Sequence, residues 1–270
     1  MSRLLNFALI AVFALVVATP ARAQHALDDI KKRGTLIVGV KADYKPYGFR
    51  DPGGAIIGME PDLAADVAKR LGVKLELVPV VSSNRMQFLE QGKIDLMIAT
   101  MNDNADRRKV VYIVEPPYYS SGVNILTPKA AKLKEWKDVK GKKTCMIQGA
   151  WYNKQIQQDY GAEIVAFKGT AEVYSALKGN DCVGFIYDDT LLMANLLEPE
   201  WKEYEMPFKT ILDGPWGLAV KLGEESFYKF MSTTVADWHR TGMLVQLEKK
   251  YGLANSAYAV KMNADYKAKK

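Results

Sequence analysis

Histidine and cysteine are scarce in this chain, and their scarcity excludes several kinds of site. The 270 residues include two histidines, His25 and His239, and two cysteines, Cys145 and Cys182. His25 lies near the start of the chain and His239 falls in a helical pattern typical of a surface. The sequence therefore offers no histidine-based metal site and no Ser/His triad. A Cys/His nucleophile is equally poorly supplied, and we predict neither a metal nor a cofactor.

Long apolar runs are absent after the first twenty residues. Residues 4–18 are uncharged and largely apolar, Arg3 precedes them, and Pro20 follows with small residues at Ala21 and Ala23. This pattern is typical of a secretory signal peptide, here residues 1–23, and Pro20 argues against the alternative of a retained anchor. Nothing later approaches the roughly 20 apolar residues that cross a membrane. We expect a mature protein in the periplasm.

Runs of positive charge are also absent. The chain has 37 Lys and Arg against 31 Asp and Glu, and cleavage after Ala23 removes two Arg, which leaves a formal charge of 35 − 31 = +4. Because the basic residues are scattered among acids, we predict no nucleic-acid partner. A mild positive balance still favours the approach of anionic ligands.

An exported protein meets an oxidising compartment, where a disulfide is chemically permitted. Cys145 and Cys182 allow one pairing, which would stabilise the fold by roughly 3 to 4 kcal/mol on the chain-entropy model. Two separate buried thiols are the alternative that the residues alone leave open.

The order of predicted elements indicates an α/β protein with two lobes. The first unit alternates strands and helices at residues 35–40, 61–71, 75–80, 84–91 and 94–99. The second unit repeats this order at residues 144–148, 152–160, 163–167, 170–178 and 182–187. Short links in such an order imply mainly parallel sheets flanked by helices. The extended segment at 216–221 can return to the first lobe, so the chain would cross twice between the lobes and form a two-strand hinge.

These crossings set the predicted organisation of the mature chain. Residues 24–122 begin the first lobe, 123–215 form the second, and 216–270 return to the first and add the C-terminal helices. The tail after Asn255 is polar and rich in lysine, which predicts a frayed end.

One stretch, residues 94–109, concentrates groups that suit a ligand. A short apolar strand ends at Thr100, and Asn102 and Arg107 follow in a polar segment that can begin a helix. Open α/β sheets bind ligands at this edge. Arginine can grip a carboxylate through two parallel hydrogen bonds, while the Asn102 side chain and the Thr100 carbonyl are acceptors that suit an ammonium group. A zwitterion would fit, although a solvated polar loop is the alternative.

With these segments placed, the chain resembles the periplasmic polar amino-acid-binding proteins of ABC importers, extracellular solute-binding protein family 3. The resemblance covers essentially all of the mature sequence. The segments that carry it are VGVKADYKPYGF at 38–49, GMEPDLAADVAKRLG at 58–72, SSNRMQFLEQGKIDLMIATMNDNADRRK at 82–109, EPPYYSSG at 115–122 and FIYDD at 185–189.

The resemblance implies a monomeric two-lobed protein of the type II periplasmic-binding fold that closes over one amino acid. Arg107 would then hold the α-carboxylate and Asp188 the α-ammonium, which Thr100 and Asn102 would share. Tyr44 would form an aromatic wall. The family also implies a membrane permease coupled to an ATPase as the partner, and no catalysis.

Two further cations, Lys41 and Arg85, would face the cleft if the resemblance holds. They imply a second anionic group on the ligand, as in the glutamate/aspartate-binding members, which look similar at both positions. The alternative is that Lys41 pairs with Asp43 or Glu60 and that Arg85 is solvated.

The second lobe departs from the family pattern, since Gln148-Gly149-Ala150-Trp151-Tyr152 replaces the usual hydroxyl residues. Trp151 could narrow the pocket or stack on the ligand, or else pack in the core. Cys145 and Cys182 resemble the positions that a subset of acidic and general amino-acid binders pair as a disulfide.

Two competing interpretations remain. The first is a periplasmic enzyme of similar fold, like cyclohexadienyl dehydratase, in which Asp188, Asp189 or Glu60 would serve as the acid or base. The second is the sensor domain of a receptor, for which the sequence shows no signalling module after the lobes.

Overall fold

The structure, a computed structural model, describes residues 26–268, which fold into two lobes joined by paired strands. The predicted signal peptide, residues 1–23, lies outside the described residues. Within residues 26–268, none of the helices is both long and apolar enough to cross a membrane.

The strands are β1 (Thr35–Val40), β2 (Asp43–Tyr44), β3 (Gly48–Arg50), β4 (Ile56–Ile57), β5 (Lys74–Pro79), β6 (Leu96–Ile98), β7 (Val111–Ile113), β8 (Tyr119–Pro128), β9 (Lys143–Ile147), β10 (Glu163–Phe167), β11 (Phe185–Asp188), β12 (Tyr204–Glu205), β13 (Ile211–Trp216) and β14 (Ala219–Lys221). The helices are α1 (Ala26–Arg33), α2 (Met59–Leu71), α3 (Arg85–Glu90), α4 (Ala105–Arg108), α5 (Asn153–Tyr160), α6 (Thr170–Lys178), α7 (Asp189–Leu196), α8 (Glu225–Thr241), α9 (Met243–Lys250) and α10 (Ala257–Ala268).

The first lobe is built on a five-stranded sheet in the order β5-β1-β6-β14-β7. Strand β1 runs parallel to β5 and β6, whereas β14 is antiparallel to both β6 and β7. Helix α2 covers this sheet with Leu63 and Val67, which recur at helical spacing and are buried. It ends at Gly72, which adopts the left-handed conformation. Since β14 lies in this sheet, the chain returns to the first lobe near its C-terminal end.

The second lobe is built on strands in the order β10-β9-β11-β8-β12, with β13 paired to β8. Strands β9, β10 and β11 are parallel, and β8 runs antiparallel to β11. Both large sheets are therefore mixed, with a parallel trio of strands next to antiparallel partners. A disulfide joins Cys145 of β9 to Cys182 before β11, across a sequence separation of 37 residues. It lies wholly within the second lobe.

Strands β8 and β13 pass between the lobes and pair with each other, with Tyr119 opposite Trp216 and Ser121 opposite Gly214. Trp216 is fully buried at this crossing. Its ring lies within 6.3 Å of four tyrosine rings, those of Tyr44, Tyr47, Tyr118 and Tyr119. These strands form the hinge, whereas the residue limits proposed above for each lobe remain predictions.

The C-terminal segment differs from the prediction of a frayed tail, because residues 257–268 form helix α10. Tertiary contacts hold it: the Tyr258 hydroxyl donates to the Pro117 carbonyl at 2.8 Å, and the Asn263 amide donates to the His239 carbonyl. His239 itself is buried, although its pattern indicated a surface position. Its ring nitrogen lies 2.7 Å from the Pro117 carbonyl, so it supports the hinge.

Candidate functional site

A small cavity lies between the two closed lobes. Its volume is about 10 Å³, roughly the space for one water molecule. The lining residues come from both lobes: Ser82, Arg85, Thr100, Asn102, Arg107, Ala150, Trp151, Tyr152, Tyr187 and Asp188.

The first lobe contributes Arg107 through the short helix α4. Asn104 caps this helix, since its side-chain oxygen accepts the N–H of Arg107 at 2.9 Å. The guanidinium donates to the Asn102 carbonyl at 2.7 Å and, across the cleft, to the Gly149 carbonyl at 3.2 Å. These bonds use two of its five N–H donors, so donors remain for an anion.

The electrostatic setting of Arg107 favours an anionic ligand. Burial lowers the pKa of Arg107 to about 9, the neighbouring charge of Arg85 acts in the same direction, and the charge of Asp188 opposes them. The group is still cationic at neutral pH. Two buried guanidinium groups so close together are stabilised by any anion placed between them.

The second lobe contributes Asp188 at the end of β11, where it begins helix α7. Its carboxylate accepts hydrogen bonds from the hydroxyls of Tyr152 at 2.9 Å and Tyr44 at 3.2 Å. Burial raises the pKa of Asp188 to about 6, while these hydrogen bonds and the charge of Arg85 oppose the shift. A cationic group in the cavity would restore the ionised form.

Arg85 is buried at the start of α3, and it bonds to the loop that carries Thr100. Its Nη1 donates to the carbonyls of Ala99 and Thr100, the latter at 3.1 Å. Its Nε and the Thr100 hydroxyl are buried polar atoms without a hydrogen-bond partner. A ligand could supply those partners, because buried polar groups are nearly always hydrogen-bonded.

Glu60 supports this loop from behind. It accepts the N–H of Thr100 at 2.7 Å and the hydroxyl of Tyr118. Thr100 has a φ of 46°, a left-handed conformation that is strained for a β-branched residue. Burial raises the pKa of Glu60 to about 7, against these hydrogen bonds and the nearby charges of Arg85 and Lys41. Glu60 therefore holds the loop shape that places the Thr100 carbonyl near Arg85.

The structure brings most of the predicted site residues together. Thr100, Asn102, Arg107 and Asp188 line the cavity, as do Arg85 and Trp151. Tyr44 lies behind Asp188, to which it is hydrogen-bonded.

Like Tyr44, Lys41 is not part of the cavity lining. Its side chain is 1% exposed, and its Nζ lies 3.0 Å from the Asp43 carboxylate, which is the alternative pairing considered above.

The sequence interpretation did not assign Ser82, Tyr152 or Tyr187 to the site. Tyr152 and Tyr187 each stand next to an assigned residue, and that adjacency was the available signal. Alternation along a strand would send the side chains of Tyr187 and Asp188 to opposite faces. Both nevertheless line the cavity at the end of β11, where α7 begins with the next residue.

The chain is similar to one protein family and to several amino-acid-binding proteins. Bacterial extracellular solute-binding proteins, family 3, match residues 36–254. The ABC transporter glutamine-binding protein GlnH of Bacillus subtilis (strain 168) is 27% identical over 93% of this chain and 97% of that protein. The L-cystine-binding protein TcyJ of Escherichia coli (strain K12) is 27% identical over 83% of this chain and 85% of that protein. The glutamate/aspartate import solute-binding protein of Salmonella typhimurium (strain LT2) is 24% identical over 82% and 77%.

The fold is also similar to the folds of solved amino-acid-binding proteins. The structure of holo ArgBP from T. maritima matches this chain with a TM-score of 0.75 and 26% identity. The match covers 83% of this chain and 99% of the ArgBP chain. The ancestral amino acid-binding protein AncCDT-1, a precursor of cyclohexadienyl dehydratase, has a TM-score of 0.74 at 29% identity, over 84% and 99%.

Two mixed α/β lobes, two hinge strands and an interlobe cavity define the two-lobed periplasmic-binding-protein-like fold, which confirms the predicted fold class. The chain belongs to the bacterial extracellular solute-binding proteins, family 3.

Proposed function

We propose that this protein captures one L-amino acid with an acidic side chain, glutamate or aspartate, and delivers it to the permease of an ABC importer. One observation carries the proposal: Arg107 of the first lobe and Asp188 of the second line the same closed cavity. A guanidinium and a carboxylate on opposite lobes match the two ends of a zwitterion, and both are engaged only when the lobes close.

The α-carboxylate lies against Arg107 in this proposal, where three N–H donors are not used by the Asn102 and Gly149 carbonyls. The α-ammonium lies against Asp188, with the Asn102 side chain and the Thr100 carbonyl as further acceptors. Since the cavity between the closed lobes has room for about one water molecule, the ligand enters while the lobes are apart, and the side chains around the cavity shift to admit it. Closure then excludes water and strengthens both contacts.

The charge of the cavity supports an acidic side chain. Its lining has two formal positive charges, Arg85 and Arg107, and one negative charge, Asp188. A ligand with a net charge of −1 balances that excess, and the unpartnered Nε of Arg85 is a donor for its second carboxylate. Lys41 adds nothing to this argument, because Asp43 already pairs with it. The relatives named above include binders of glutamine, cystine and glutamate/aspartate, so a polar amino acid is the broader class.

Isothermal titration calorimetry against all amino acids and dicarboxylates tests the proposal, with Arg107→Ala as the decisive variant. Loss of one charge-assisted hydrogen bond corresponds to a decrease in affinity of about 10- to 150-fold, and loss of two to more. Arg108→Ala is the matched control, since Arg108 is exposed and bonds to Asp103 and Glu115 outside the cavity. Unchanged affinity for the preferred amino acid in Arg107→Ala contradicts the proposed role.

The same panel separates binding from catalysis. The likeness to AncCDT-1 keeps a dehydratase as the second candidate. Asp188 is the carboxyl group of the cavity lining, and its pKa of about 6 would suit an acid. Turnover of prephenate or arogenate that Asp188→Asn abolishes would favour this enzyme over the transport role.

A further inference from the structure

Helix α6 of the second lobe receives part of its N-terminal cap from the first lobe. The N-cap residue, Gly169, has no side chain to cap the helix. Glu172 accepts the N–H groups of Lys168 and Gly169, whereas the N–H of Thr170 is bonded to the carboxylate of Asp43 at 3.2 Å. The Thr170 hydroxyl also donates to the Asp43 carbonyl at 2.7 Å. The first turn of a helix favours negative charge, so this contact attracts the two lobes.

Lys41 fixes the carboxylate that makes this contact. Its buried Nζ lies 3.0 Å from Asp43 Oδ1, while Asp43 Oδ2 meets the N–H of Thr170. A buried ammonium group strongly requires its counter-ion, so Asp43 is held at the edge of the first lobe in the orientation that meets α6. Separation of the lobes would leave Lys41 and Asp43 paired and would expose the N-terminus of α6 to water.

Neither residue belongs to the cavity that would hold the amino acid. A second contact across the cleft, the pair of Lys45 and Glu198, is also independent of the cavity, but both side chains are exposed. Exposed pairs contribute little to stability. Of these two contacts outside the cavity, the contact of Asp43 with α6 is therefore the one that combines a charged group with partial burial.

We propose that Lys41 and Asp43 form a latch that holds the lobes together through the N-terminus of α6 without any ligand. The latch makes the closed form a substantial part of the ligand-free population, and it slows ligand release from the closed form. A ligand pays less of the cost of closure when the closed form already exists. The link to ligand release rests on the proposed function, but closure of the ligand-free protein does not.

Small-angle X-ray scattering of the ligand-free protein tests the latch. Asp43→Ala and the double variant Lys41→Met/Asp43→Ala remove it, and the double variant leaves no unpaired buried charge. Thr170→Val is a milder change that removes the hydroxyl bond but keeps the shape of the side chain. We expect Asp43→Ala to increase the open-to-closed ratio about fivefold, the effect of losing a typical helix cap, with a larger radius of gyration.

Two variants serve as controls. Lys45→Ala removes the exposed pair across the cleft, and Thr233→Val removes a hydroxyl that bonds only within α8. Both should keep the wild-type radius of gyration. An unchanged radius in the double variant and in Thr170→Val overturns the latch. The latch is also overturned if the wild-type protein is already fully open without ligand.

Binding data distinguish this failure from failure of the proposed function. If the latch is correct, the variants bind the preferred amino acid more weakly, with a faster off-rate and an unchanged closed form at saturation. If no amino acid binds the wild type, the proposed function fails while the scattering result still decides the latch.

Discussion

Acidification from pH 7 to pH 5 is expected to weaken amino-acid binding through Asp188. Burial raises the pKa of this carboxyl group to about 6 in the protein without ligand, so protonation competes with the ammonium group below that pH. Arg85, Tyr152 and Tyr44 oppose the shift, and Asp189 adds to it. The protein therefore binds the amino acid with full affinity well above pH 6 and loses affinity as the pH falls through 6.

The size of the effect follows from the protonated fraction. If the ligand binds only the ionised form, the apparent Kd is multiplied by 1 + 10^(pKa − pH). This factor is about 1.1 at pH 7, about 2 at pH 6 and about 11 at pH 5 for a pKa of about 6. Binding at pH 5 also releases about 0.9 proton, because the ligand ionises a carboxyl group that was mostly neutral.

Calorimetry in buffers with different ionisation enthalpies measures both quantities. Asp188→Asn is the control, since the amide keeps the shape and its oxygen still accepts one of the two tyrosine hydroxyls, but the amide does not titrate. It should bind about 10- to 150-fold more weakly at pH 7 and show no proton release from this site. An affinity of the wild type that is the same at pH 5 and pH 7, or binding without proton release at pH 5, refutes the reasoning.

The remaining predictions concern stability and the shape of the site. Replacing Cys145 and Cys182 by alanine should lower the free energy of unfolding by about 4 kcal/mol in urea denaturation, given the 37-residue separation; a loss below about 1 kcal/mol argues against the loop-entropy estimate. Because the folded-state pKa of Glu60 is about 7, above its usual 4.5, the folded protein retains a proton that the unfolded chain loses; the free energy of unfolding should fall as the pH rises from about 5 to 7, and Glu60→Gln should reduce that slope in melting experiments. Asn104→Ala should weaken ligand binding about fivefold by uncapping the helix of Arg107, and Asn104→Asp should restore it; equal affinity in all three proteins contradicts this.

Much of the fold followed from local patterns. Strand β1 at Thr35–Val40 and helix α6 at Thr170–Lys178 appear where periodicity predicted them, because each has apolar residues at regular spacing and clear end signals. Helix α10 was missed for the opposite reason. Its apolar residues do not recur on one regular face, and its order comes from contacts with residues far away in the chain, such as Pro117. Such contacts cannot be predicted from local helix propensity.

The site likewise has residues that the sequence predicted and one contact that it could not predict. Arg107 lies in the polar segment that follows a predicted strand, and the family resemblance pointed to both Arg107 and Asp188, which line the cavity. The partner of Lys41 could not be predicted in this way. At the end of β1 the Lys41 side chain could point towards the cleft or towards Asp43, two residues later. Only the tertiary position of Asp43, between Lys41 and the start of α6, decides between these orientations.

The cluster of aromatic rings at the hinge gives the protein an intrinsic fluorescent probe. Trp216 is shielded from water and surrounded by the rings of Tyr44, Tyr47, Tyr118 and Tyr119, all on segments that meet where the lobes pivot. The emission of an indole ring shifts when water reaches it. A rotation about β8 and β13 that exposed Trp216 would therefore alter the emission of the unlabelled protein.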